Sequence, residues 1–428
     1  MTNFTKSTLA FCLICGVAYA ETDKHHHHHH HHGHNHNDEV ALYGTIGWFA
    51  KSSALASKNE NANKDSYSTF FTTMQMNADA PFGLRAGLGI TAFTPFGQST
   101  PYVESKFIEN IAYLDFTHSF DSLTLSIKGG RFDEHLDWIG HSLQGAMASL
   151  NSRYFRIYGL WVDDQAHTTR EIGLHNFNFY DELYDSKDLF VAGADIKAPY
   201  THISPFNYYL PTFFNVAGTK INFNFDISQN WYISTTLHGA YLHSLFTNEI
   251  HDEHGHEDEI TTHITEPRGH SYIGIIEQAI GYGDNIEFGI GFQKVGKHIF
   301  ELANMDSNSR FEAHNHGHSR FNVIQPGGLH SGTHTTNMYN EETRTIYGFF
   351  DMSFDNLAIE ALARDSRNSE RSQSAYSLGF RYTSIYDIEI GALGVYMLES
   401  KQSDGDGDEP SYKNLNRSFA KAYIQYAF

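Results

Sequence analysis

Only two cysteines occur, Cys12 and Cys15, and both fall within the first twenty residues. From Glu21 onward there is no thiol, which excludes a disulfide framework and thiol chemistry. Basic charge is also short: 29 Lys and Arg stand against 50 Asp and Glu, a net charge of −21. No basic stripe exists to neutralise phosphates, so nucleic acid is not a partner. Proline is scarce, at 9 residues. Long apolar runs are missing too. Leu9–Val17 is too short to span a bilayer, and nothing after it reads as a transmembrane helix. An exported chain without such a helix is either soluble or a β-barrel.

Export is read from the N-terminus. Lys6 supplies a positive start, Leu9–Val17 an apolar core, and Ala18-Tyr19-Ala20 a small-residue cleavage site. A lipidated Cys12 or Cys15 fits poorly, because Phe11 or Ile14 precedes it where a small residue belongs. The expected organisation is a signal peptide over 1–20, a His-rich periplasmic segment over 21–39 and a barrel over 40–428. Composition agrees: 25 Tyr, 33 Phe and 35 Gly suit aromatic girdles and a curved, pleated wall.

Period-two patterning runs along the chain. At the end, Ala420, Ala422, Ile424, Tyr426 and Phe428 form an apolar register against Lys421, Tyr423, Gln425 and Ala427. Ile286, Phe288, Ile290 and Phe292 alternate with Glu287, Gly289 and Gly291, and Ile221, Phe223 and Phe225 with Asn222, Asn224 and Asp226. Connections alternate between short (228–230, 283–285, 354–356, 383–387) and long (246–270, 298–343, 365–375, 399–417). Short periplasmic turns and long extracellular loops are the pattern of bacterial barrels. The fold class is therefore all-β, a transmembrane antiparallel β-barrel of about eighteen strands. Removing the two weakest segments, 143–150 and 202–212, leaves about sixteen. Either size encloses an aqueous channel.

Three groups of residues carry candidate chemistry. The first is histidine. His25, His26, His27, His28, His29, His30, His31 and His32 run unbroken, followed by His34 and His36. The continuation into Asn35, Asn37 and Asp38 reads as native rather than as an engineered tag. Two loop clusters follow: His251, His254 and His256 among acids, then His314, His316 and His318. Neutral imidazoles bind nickel, zinc and copper, but the spacing forms no closed structural zinc site. No cofactor is required; nickel or zinc held weakly is the expected ligand. The second group is the segment KGGRFDEHLDWIGHSLQG, in which Arg131 stands beside Asp133, Glu134 and Asp137. It reads as a loop folded into the channel, its opposed charges setting a transverse field at a constriction. The third is a scatter of charged side chains in the lumen register: Lys128, Arg156, Glu360, Arg364, Arg381, Glu389 and Lys421.

The signal, the barrel pattern, the terminal Phe428 and GGRFDEHLDWIGHSLQG resemble the Hof outer-membrane proteins of Helicobacter and the wider OprD-like porins. Gly129-Gly130-Arg131 and Gln144-Gly145 are the most specific points. The resemblance implies an eighteen-stranded diffusion porin with an inward third loop. OprD-like channels carry a ladder of lumen arginines; here the basic positions are scattered and the chain is acidic, which argues for cations over anions. The reading is then a non-enzymatic outer-membrane porin for small solutes, assisting divalent metal uptake. The implied partners are outer-membrane lipid and lipopolysaccharide, the barrel-assembly machinery and the solutes or metal ions themselves, with the chain a monomer or a homotrimer. The alternative is a surface adhesin or metal-binding protein without a channel. A phospholipase has no spaced Ser–His motif to support it.

Imidazole must be neutral to ligate, so nickel and zinc binding should weaken as pH falls through about 6.5. Calorimetric titration at neutral and acidic pH, on the whole protein and on a variant lacking residues 25–36, checks this. Unchanged binding after the deletion would make the tract passive.

Overall fold

A computed structural model describes residues 40–53, 66–95, 106–134, 136–139, 142–166, 177, 188–245, 269–283, 285–298, 300, 337–403 and 411–428. Apart from two single turns of 3-10 helix, its regular elements are all strands: β1 Val40–Ser52, β2 Tyr67–Ala80, β3 Leu84–Pro95, β4 Lys106–Phe120, β5 Leu123–Asp133, β6 Ser142–Asn151, β7 Phe155–Ala166, β8 Leu189–Ala198, β9 Thr201–Leu210 and β10 Phe214–Asp226. The series continues with β11 Trp231–Ser244, β12 Ser271–Tyr282, β13 Ile286–Val295, β14 Arg344–Phe354, β15 Leu357–Arg367, β16 Arg371–Thr383, β17 Ile388–Ser403, β18 Ser411–Asn416 and β19 Phe419–Ala427.

Each strand pairs antiparallel with its sequence neighbour, except that β18 and β19 both pair with β17, and β1 pairs with both β2 and β19, which closes the sheet. The segments β18 and β19 form one wall position. Their register against β17 is continuous, Leu398 opposite Asn416 and Val395 opposite Phe419. The ladder pauses at Arg417-Ser418, where the Ser418 hydroxyl accepts the Met397 N–H at 3.0 Å. The barrel is thus eighteen-stranded, and the two weak segments are strands β6 and β9. At the closing seam Gly44 and Phe428 exchange both backbone hydrogen bonds, at 2.9 and 3.0 Å.

Two expected long loops are mostly strand. β15 reaches Arg367 and β16 begins at Arg371, so a tight turn replaces the loop expected over 365–375. The Asn368 carboxamide oxygen builds it by accepting the N–H groups of Glu370 and Arg371, at 3.0 and 2.8 Å. Polar residues hid this extension, because strands that rise above the lipid lose their apolar face. β17 and β18 shorten the loop expected over 399–417 in the same way. At the opposite rim the turns are short. Asp121 and Asp355 take φ of 45° and 41°, which a short polar side chain tolerates.

One face of each strand is apolar and exposed. On β13 it is Phe288, Ile290 and Phe292, with Ile286 half-buried at the strand end; on β17 and β19 it includes Ile390, Tyr396, Ile424 and Tyr426. That is the lipid face. Tyr241 and Tyr272 pair near one rim, Trp231 and Tyr282 near the other, as girdles do. The inward face is mixed, and aromatic rings lie flat on it over glycines. The Tyr347 ring covers Gly291 and its hydroxyl donates to Glu277 at 2.8 Å, spanning β14, β13 and β12. Tyr232 covers Gly281 and donates to Glu287 at 2.8 Å, spanning β11, β12 and β13. Tyr423 covers Gly391 and donates to Glu389 at 2.8 Å.

A Cβ on Gly291 would run into the Tyr347 ring, whereas one on Gly274 meets nothing within 4 Å. Gly291→Val should therefore destabilise the barrel by about 1–3 kcal/mol through overpacking, and Gly274→Val should not. Unfolding midpoints from heat-dependent gel migration of the two variants check this.

Candidate functional site: the inward β5–β6 hairpin

Past Arg131 strand β5 no longer pairs with β4, whereas β6 stays paired with β7 to its first residue, Ser142 opposite Ala166. Gly130 has φ of 116°, a conformation that suits glycine. Opposite, β6 is bulged against β7 between Gln144 and Gly145. Bulges bend a strand and increase its twist. These are the Gly-Gly-Arg and Gln-Gly points of the sequence.

Beyond the bend, both faces of the hairpin make inward contacts. On one face Phe132 and Leu143 are fully buried with Trp138 and Ile139, in a cluster with Val162, Leu189, Tyr208, Phe214 and Leu242 of β7 to β11. On the other, the Arg131 guanidinium lies 4.4 Å from the centre of the Phe177 ring. Phe177 in turn packs against a cluster that includes Phe49, Phe71, Phe93 and Tyr423, inward side chains of β1, β2, β3 and β19. The hairpin end therefore stands between two sectors of the wall.

The four residues expected at the constriction divide between these faces. Arg131 donates to the Gln144 side-chain oxygen at 3.0 Å and to the Glu109 carbonyl at 3.2 Å. Asp133 accepts from the Ser142 hydroxyl at 2.7 Å, and Ser142 accepts from Asn110, which is held by Thr91 of β3. Glu134 and Asp137 reach the other way. Glu134 meets Arg156 of β7 at 3.2 Å, and Asp137 meets Lys220 of β10 at 3.4 Å. The charges opposed to Glu134 and Asp137 thus come from the wall and not from Arg131.

Trp138 anchors the loop. It is 1 % exposed, and its backbone N–H donates to the Tyr208 hydroxyl at 3.4 Å. Its ring lies 5.3 Å from His238 of β11, 5.4 Å from Phe300 and 6.5 Å from Tyr339. Phe300 and Tyr339 belong to the connection between β13 and β14, and Phe300 N–H donates to the Tyr339 carbonyl at 3.0 Å. Two connections therefore meet on one indole inside the barrel. Lys220 and His238 stand in the inward register and are readable by alternation. Phe300 and Tyr339 carry no such signal, because they lie outside the strands.

The lumen-register residues all face inward: Lys128 and Arg156 in the first half, Glu360, Arg364, Arg381, Glu389 and Lys421 in the second. Arg381 lies 3.8 Å from Glu389. Charge is unevenly spread. Glu287, Asp351 and Glu360 are direct cross-strand partners on β13, β14 and β15, and Glu277 lies on β12. Lys51 and Lys421 are partners on β1 and β19, and Lys128, Arg156 and Lys220 follow on β5, β7 and β10. The bases are offset by Asp115 and Asp195 and by Asp133, Glu134 and Asp137 of the hairpin end, two of which pair with Arg156 and Lys220, so no purely basic sector forms among the described residues; the acidic row shares its arc with Arg364 and Arg381. The histidines at 25–36, 251–256 and 314–318 lie outside the described residues, so their placement is not part of the site. Among the described residues no group of three or more His, Cys, Asp or Glu is placed to hold a metal ion.

An eighteen-stranded barrel with a lipid-facing exterior and an inward loop defines a class, the large closed transmembrane β-barrel. Solved structures narrow the architecture. The outer membrane protein opdK from Pseudomonas aeruginosa matches with a TM-score of 0.60 at 10% identity, over 91% of this chain and 99% of that one. OccAB4 of Acinetobacter baumannii matches at 0.59 and 9%, over 92% and 98%, and an OccD1 (OprD) variant at 0.59 and 8%, over 91% and 95%. At such identities the likeness shows the fold, and that fold is OprD-like. No protein-family model matches the sequence, and neither does any curated protein.

Trp138→Ala should free the loop, since truncating a buried Trp costs about 3–5 kcal/mol. Amide exchange over residues 134–139 should accelerate, while the lipid-facing Trp161→Ala leaves it unchanged. Equal exchange in both variants would remove Trp138 as the anchor.

Proposed function

We propose that this protein is an outer-membrane channel for passive diffusion of small solutes, with the β5–β6 hairpin as its constriction. The observation that carries the reading is the hairpin end itself, parted from β4 beyond Arg131 and held to inward residues by ion pairs to Arg156 and Lys220. An adhesin or enzyme has no need of a loop inside the lumen. One solved structure of similar fold, opdK, is an outer membrane protein, which is consistent with the location. A narrower kinship with the Hof proteins of Helicobacter rests on the sequence resemblance, the GGRFDEHLDWIGHSLQG segment above all.

Cation preference is a finer part of the same reading. The acidic row Glu287, Asp351 and Glu360 lies on the wall of β13 to β15, and charges beside a low-dielectric wall are screened less than charges at an open mouth. Metal assistance extends this reading: loop histidines gather nickel or zinc, the lumen passes it and the tract over residues 25–36 retains it. Weak sites suit such a relay, because tight ones would trap the ion.

Purified protein in planar bilayers should give ohmic steps with reversal potentials on the cation side in a salt gradient. The isosteric triple Glu287→Gln, Asp351→Asn, Glu360→Gln should move the reversal potential toward zero. Anion preference in the unmodified protein would refute the charge argument. Absence of conductance would favour the adhesin reading.

A further inference from the structure

At the rim bearing the long connections, the outward face changes character over one short arc. Lys294 lies one residue from the end of β13, Arg344 opens β14 and Arg367 closes β15. Lys294 is the direct cross-strand partner of Arg344, and Arg344 of Arg367. By alternation they share the outward register with Phe292, Ile346 and Ala363 on the same strands. Arg344 and Arg367 are exposed and Lys294 is half-buried. Elsewhere on this rim β1, β2, β3 and β10 present Ser52, Ser68, Thr94 and Asn215 outward. In a chain with net charge −21, three cations in a row are not a by-product of composition.

Like charges directly opposite one another destabilise a sheet unless an anion lies among them. Among the described residues that anion stands at one end of the row only. Arg367 donates to both Asp365 carboxylate oxygens, at 2.6 and 3.3 Å. Lys294 and Arg344 have no ion pair or side-chain hydrogen bond among the described residues. Strand spacing of about 4.8 Å makes the row about 10 Å wide, a span that one or two phosphate groups bridge. Arginine offers a fork of donors that matches phosphate oxygens.

Below the row, toward the bilayer, the surface is hollowed. Gly348 faces Ala363 across β14 and β15, with Ala361 next along the strand. A Cβ on Gly348 would approach only the Gly289 carbonyl at 3.6 Å and Ile290 at 4.0 Å. Ile290 and Ile346, 69 % and 65 % exposed, flank this furrow. A cationic ledge over an apolar furrow has the shape of an amphiphile. Long connections mark the extracellular side, so the ledge faces the outer leaflet.

We propose that this arc binds a phosphorylated lipid of the outer leaflet. Lys294, Arg344 and Arg367 take its headgroup phosphates, and an acyl chain lies over Gly348, Ala361 and Ala363. The site is on the outer wall and does not depend on conduction.

The test uses the full-length barrel in phosphatidylcholine vesicles doped with a bisphosphorylated glycolipid, with the same glycolipid stripped of phosphate, or with inorganic phosphate added instead. Unfolding midpoints are read from heat-dependent gel migration. The phosphorylated glycolipid alone should raise the midpoint by several degrees. Lys294→Gln, Arg344→Gln, Arg367→Gln should abolish the rise. The single Arg344→Gln, at an exposed position, should reduce it even if the triple variant folds poorly, and Gly348→Leu should reduce it by filling the furrow. An equal rise with the stripped glycolipid or with inorganic phosphate would overturn the proposal, as would an undiminished rise in Arg344→Gln.

Discussion

In hydrocarbon no water is present to accept a backbone N–H, so every strand must find a partner on both sides. The rest of this molecule depends on that constraint. β1 meets it by pairing with β2 and with β19, which joins the two ends of the barrel wall and leaves no edge. The final residue takes part, since Phe428 exchanges backbone hydrogen bonds with Gly44. Each tight turn at one rim and each long connection at the other is a consequence of threading eighteen antiparallel strands into a closed circuit.

Closure leaves the inner face to be filled, and the solution is local. Tyrosines lie over glycines of neighbouring strands, where no Cβ blocks them, and donate to carboxylates on the same strand or one strand further on. The ring repairs the gap in packing that a glycine leaves in a sheet. The phenol holds the glutamate against the wall, so its charge has a set position. The hairpin end of β5 and β6 uses glycine differently. Beyond Gly130 strand β5 parts from β4, β6 is bulged against β7 at Gln144-Gly145, and burial of Trp138, Ile139, Phe132 and Leu143 holds the hairpin end inward. A bend without that apolar cluster would leave a polar loop free in water.

Much of the strand pattern was legible because lipid and water alternate across one layer of sheet. Ile286 to Phe292 and Ala420 to Phe428 declare their faces residue by residue. Where strands rise above the lipid the contrast fades, which is why 365–375 and 399–417 read as loops. The inward segment was visible as a run of charge and aromatic residues around Arg131 and Trp138. Its internal pairing was not. Arg131 sits beside Asp133 and Glu134 in sequence, yet bonds to Gln144 and Glu109, while Glu134 and Asp137 reach Arg156 and Lys220. Proximity along the chain says little where a bulge turns successive residues to opposite sectors of the wall.

Alternation by itself determined the fold class, the lipid face and the lumen register of Lys128, Arg156, Glu360, Arg381, Glu389 and Lys421, because side-chain direction in a strand is set by parity alone. Tertiary structure decided which residues meet across strands. The acidic row Glu287–Asp351–Glu360, the paired Lys51 and Lys421, the basic ledge Lys294–Arg344–Arg367 and the meeting of Phe300 and Tyr339 on Trp138 all join residues far apart in the chain. Their contacts depend on strand register and on how far each connection reaches, and both are fixed only when the sheet closes on itself.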